Sequence, residues 1–173
     1  MQPNQRIVKT ILGLSRCRLG QFFYHGGFAE LEPIHYRFET AGTDMLLTFF
    51  TREQQYKHRL LTIKRSTLQI NGLGYIHLDT EIEGKEKLEL ADYESYNNSV
   101  SIPFSHYHDE HAAEVLEVLG VSHTVGATEI QHAIAICFAS GDTLLIEQND
   151  APAGLTVRFN PPQWMAYLLI NPL

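Results

Sequence analysis

Cysteine is almost absent. Cys17 and Cys137 are the only two in 173 residues, and they stand far apart with no CxxC spacing. Neither a disulfide framework nor a cysteine zinc site is expected, and both thiols should be buried and reduced in a cytoplasmic protein. No apolar run approaches the roughly 18 to 20 residues needed to span a bilayer. The opening MQPNQRIVKTILGLSR lacks a long apolar stretch and a small-residue cleavage site, so neither membrane insertion nor export is expected. Glycine (12) and proline (7) are sparse and nowhere gather into a linker, which predicts one compact domain over 1–173. There is no G-x-S-x-G elbow, Gly-rich phosphate loop or nucleotide fingerprint; the GLG at 72–74 belongs to a turn.

What is present is apolar residue in ordinary amount, 44%, with 10% aromatic, enough for a folded core. Runs rich in β-branched and aromatic residues predict strands at 19–25, 34–39, 45–51, 59–70, 82–90, 99–103, 122–125, 132–139, 143–147 and 155–160. Asn71-Gly72, between STLQI and LGYIHLD, is a strong two-residue hairpin signal. Two helices are expected. Pro3, the apolar Ile7, Val8, Ile11 and Leu12, and a stop at Gly13 describe a short N-terminal helix. Ser105 as N-cap, Asp109 and Glu110 in the first turn, apolar residues at helical spacing and Gly120 at the end describe an amphipathic helix over 106–119. The predicted class is therefore α+β, mainly antiparallel sheet. KTILGLSRC and EVLGVSHT, followed by the parallel Phe38/Gly42/Asp44/Leu46/Leu47 and Phe138/Gly141/Asp142/Leu144/Leu145, suggest a duplicated helix-plus-hairpin unit with halves 1–75 and 105–173.

Charge is unevenly placed. Residues 1–75 hold ten Lys/Arg against five Asp/Glu, and residues 76–173 hold three against fifteen, within a net charge of -7. The basic residues match no nucleic-acid motif, so nucleic acid is not the expected ligand. The acidic excess is densest at HLDTEIEGKEKLELADYE, residues 77–94. Read as a strand, this puts Asp79, Glu81, Glu83 and Glu89 on one charged face, a complement for a basic protein partner, with Tyr75, Tyr93 and Tyr96 as aromatic anchors.

The candidate reaction centre is His106-Tyr107-His108-Asp109-Glu110-His111, whose imidazoles and carboxylates suit zinc or another transition metal. The string is similar to the H-x-H-x-D-H motif of metallo-β-lactamase-fold hydrolases, with Glu110 in the Asp place. The stretch from 100 onward also resembles a cupin, which would make His106, His108 and Glu114 its first metal motif, although Val157 stands where the second motif needs histidine. These resemblances imply a metal-dependent hydrolase or a cupin-like enzyme. A more diffuse pattern over most of the chain, helix-LG, short strand, then strand-Phe-x-x-Gly-x-x-Leu-strand, resembles small acidic bacterial proteins that include immunity proteins. It implies a non-enzymatic inhibitor, without cofactor, that neutralises a basic partner such as a toxin, with Asp79, Glu81, Glu83, Glu89 and Tyr93 at the interface. The alternative is the metal enzyme, with His106, His108, His111 and Glu114 as its ligands.

Overall fold

The structure, a computed structural model, describes residues 6–26, 28–31, 36–51, 57–100, 114–150 and 153–160. Among them twelve strands and one four-residue helical turn are formed. β1 (Arg6–Thr10), β9 (Val115–Val125), β10 (Thr128–Phe138), β11 (Thr143–Asp150), β12 (Ala153–Phe159), β4 (Tyr36–Glu39) and β3 (Phe28–Leu31) make a seven-stranded antiparallel sheet in that order. β7 (Leu73–Lys85), β6 (His58–Ile70), β5 (Asp44–Phe50), β2 (Arg18–Tyr24) and β8 (Asn98–Val100) make a five-stranded one. The turn α1 (Leu90–Tyr93) links β7 to β8.

The inner faces of the two sheets share one core. Val118, Ile134, Ile136, Leu144, Ile146 and Val157 of the first pack with Phe22, Met45, Leu47, Phe49, Leu61 and Ile63 of the second, all at most 1% exposed. Alternation along each strand produces these faces, since successive side chains point to opposite sides. Leu14 and Cys17, in the crossing from β1 to β2, close the core at one end. There the amide of Val115 donates to the carbonyl of Cys17 and the amide of Arg16 to that of Val115, tying the sheets together at a corner.

The α+β expectation is wrong: the protein is nearly all β. The N-terminal helix is absent, because residues 6–10 form β1, and the amphipathic helix over 106–119 is absent from its described part, because 115–119 opens β9. The two misread segments pair with each other, Arg6 opposite His123 through Thr10 opposite Leu119. Val115, Val118, Leu119 and Val121 satisfy a helical period as well as a strand one, and a long-range ladder resolves the choice. A duplicated helix-plus-hairpin unit loses its helices with them. Its two hairpins also differ, for β10 and β11 pair directly while β4 and β5 lie in different sheets.

Much of the strand reading holds. The hairpin at Asn71-Gly72 is formed by β6 and β7, with φ of 52° and 81° at the two turn residues, as a tight turn matched to strand twist requires. The acidic strand ends at Lys85, short of the expected 90. Both cysteines are free, Cys17 buried and Cys137 half-buried. Burial, with Glu117 nearby, pushes the Cys137 thiol pKa up. Among the described residues no helix is long and apolar enough to cross a membrane.

Candidate binding surface

β7 is the margin of the five-stranded sheet, and its outer face carries the acidic row. Asp79, Glu81 and Glu83 are all exposed, and their register partners on β6 are Lys64, Thr62 and Leu60. Partners opposite one another share a face, so Leu60, Leu46 and Phe23 of the neighbouring strands belong to the same side. Those three are buried because the segment after β7 folds back over them with Leu88, Tyr93 and Tyr96. Tyr93 stacks on Phe23 with ring centroids 4.8 Å apart. The cover stops short of the strand margin, which leaves the carboxylates in water.

Of the residues expected to bind a partner, the structure therefore brings together Asp79, Glu81 and Glu83. Glu89 lies apart from them, capping α1: its side chain accepts from the Asp92 amide, and the Asp92 carboxylate accepts from the Glu89 amide at 2.8 Å. Tyr93 is half-buried as part of the cover. Beside the row lies an open groove lined by Lys57, Gly84, Lys85, Glu86, Lys87 and Glu89. Lys85 is taken up by an ion pair with Asp92, which raises the lysine pKa. Burial pushes the Asp92 carboxyl upward, but its bonds to Lys85 and the Glu89 amide outweigh that and hold it below the usual range.

Several of the other described acids are paired internally. Glu129 meets Lys9 at 2.7 Å, Glu147 meets Arg158 at 3.5 Å, and Asp79 itself accepts from Ser66 Oγ at 2.7 Å and faces His77 Nε2 at 3.2 Å. Glu81 and Glu83, in contrast, make no ion pair or hydrogen bond among the described residues; Glu83 contributes only attraction through space to Lys85. Both carboxylates are available to a partner.

Three histidine clusters escaped sequence reasoning, because each is assembled by strand pairing and packing rather than by a local motif. His25 Nε2 lies 3.2 Å from Asp44 Oδ1, Tyr96 donates to Asp44 Oδ2 at 3.0 Å, and the His25 and Tyr96 rings stack. Burial, reinforced by the Asp44 charge and hydrogen bond, pushes the Tyr96 hydroxyl pKa far up. His77 accepts from the Gln131 amide at Nδ1, which leaves its Nε2 proton facing Asp79. In both clusters the carboxylate sits between imidazole and hydroxyl. Nucleophile activation needs the imidazole in the middle, so neither arrangement makes its Ser or Tyr a nucleophile. The third cluster is the pair His123 and His132, Nδ1 to Nδ1 at 3.1 Å.

His106, His108 and His111 lie outside the described residues. Glu114 is described; its backbone pairs with that of Arg18 in an isolated antiparallel β-bridge. Among the described residues no group of three or more His, Cys, Asp or Glu side chains could hold a metal ion. The chain matches no protein-family model, no curated protein and no solved structure.

Proposed function

We propose that this is a non-enzymatic binding protein whose exposed β7 face contacts a basic protein partner, with Glu81 and Glu83 as the principal contacts and Asp79 as a third, internally held charge. One observation carries the reading: at two-residue spacing on one open strand face, Glu81 and Glu83 present carboxylates that make no ion pair among the described residues. Such a row gives a partner orientation and a fast encounter more than raw affinity. The row also sits at a sheet margin, where charge discourages indiscriminate strand addition and leaves recognition to side chains. Nothing found among known proteins carries the narrower immunity role, so the proposal stops at a basic partner. The free thiols of Cys17 and Cys137 support a reducing, cytoplasmic setting for it.

The test is capture with the wild-type chain and with Glu81→Lys/Glu83→Lys, followed by titration of the purified captured protein against both at several salt concentrations. Asp79 is left intact because it holds Ser66 and His77. The expected result is weaker binding by the double variant and a shallower salt dependence. Unchanged affinity and an unchanged salt slope would refute the assignment of this face.

A further inference from the structure

We propose that His123 and His132 form a bidentate site for a divalent transition-metal ion of the zinc class, each ligating through Nδ1. The pair is built by a bulge. β10 pairs Gln131 with Ser122 and then Ala133 with Val121, so His132 is one residue more than β9 can match. An extra residue re-aims a side chain, and here it brings the His132 ring beside His123, which is not its register partner. The site lies next to a fixed point of the fold: Gln131 Nε2 donates to the Leu78 carbonyl at 2.7 Å, and its carboxamide fills the space that a side chain at Gly120 would occupy.

The geometry is that of a chelate. With metal–nitrogen bonds of about 2.0–2.1 Å, the 3.1 Å separation subtends about 100° at the ion, close to tetrahedral. Rings meeting head-on along one N–H···N line would place their centroids about 5.4 Å apart, whereas rings converging on a common ion would place them about 4.8 Å apart. The observed centroid distance is 5.0 Å, with the planes at 59°. His123 is 8% exposed, so its ring is held in place by the surrounding strands. His132 is half-buried, which gives an ion a way in. Imidazole donors suit zinc, cobalt(II), nickel and copper(II) rather than calcium or magnesium. Two protein ligands leave coordination positions for water or a further donor, so the ion is exchangeable.

The experiment is a titration of the full untagged chain with cobalt(II), then zinc, read by visible absorption and by long-range proton–nitrogen NMR of the histidine rings. One ion per chain is expected, with the Nδ1 signals of His123 and His132 moving together and persisting in His108→Ala/His111→Ala. His132→Gln and His123→Gln should each weaken binding at least about tenfold, the lower bound seen even when a ligand's outer partner is lost. The NMR reading on the wild-type chain stands whether or not the buried His123 tolerates replacement. If millimolar zinc leaves both Nδ1 signals in place, or shifts only other histidines, the pair is an ordinary hydrogen bond and the proposal is overturned. Signals that move in the wild-type chain but stay in place in His108→Ala/His111→Ala would likewise overturn a two-histidine site.

Discussion

Gly154→Ala should be the most damaging one-carbon change in the described structure. A Cβ at this position of β12 would stand 1.9 Å from the carbonyl oxygen of Thr40 and 2.9 Å from its carbonyl carbon. Both are backbone atoms, so no side chain can swing aside; one strand must move by more than about 1 Å to restore an ordinary contact. Thr40 is 1% exposed and sits where the chain leaves β4 for the other sheet. Its amide donates to the Leu155 carbonyl at 2.9 Å, and the Leu155 amide donates to its Oγ1 at 3.1 Å. Overpacking costs about 1–3 kcal/mol and weakening two such bonds about 1 kcal/mol each, giving roughly 3–5 kcal/mol. For a chain of 173 residues this corresponds to a fall in melting temperature of about 10 °C. Thermal unfolding by circular dichroism reads it. Gly141→Ala is the control, since Gly141 has φ of 91° but no atom within 4 Å of the added carbon, so only backbone strain of about 1–3 kcal/mol applies. Should Gly154→Ala melt within about 2 °C of wild type, the close approach of β12 to the β4–β5 crossing is wrong.

Two carboxylates should give pH dependences of opposite sign. The folded-state pKa of Asp92 is lowered from 3.8, so the stability it contributes is present above that value and lost as pH falls through the folded pKa. Asp92→Asn should therefore flatten the acid limb of a urea-midpoint profile, and adding Lys85→Met should flatten it no further; a limb that keeps its slope counts against the ion pair. Glu147 behaves in reverse. Burial raises its pKa above 4.5 and Arg158 only partly offsets this, so stability is lost as pH rises from 4.5 through the folded pKa. Glu147→Gln should gain on wild type across that window and match it below, as paired denaturation curves at the two ends would show.

What the sequence determined by itself was local. Asn-Gly dictates a two-residue turn wherever it falls between apolar alternations, so the β6–β7 hairpin was legible. Period-two spacing put Asp79, Glu81 and Glu83 on one face, and the structure keeps them there, exposed. Glu89 left the row because the strand ended at Lys85, where Glu89 and Asp92 form a capping box that competes with further extension. The class of the fold was decided at long range. Ile7, Val8, Ile11 and Leu12, like Val115, Val118 and Leu119, carry a pattern that a helix and a strand both accept, and the strand is chosen because β9 finds β1, more than a hundred residues away, on one side and β10 on the other. The histidine clusters have the same origin. His25 with Asp44 and Tyr96, and His77 with Asp79 and Gln131, meet only once strands are in register. His123 meets His132 only because one residue too many in β10 turns a side chain that the alternation alone would place elsewhere.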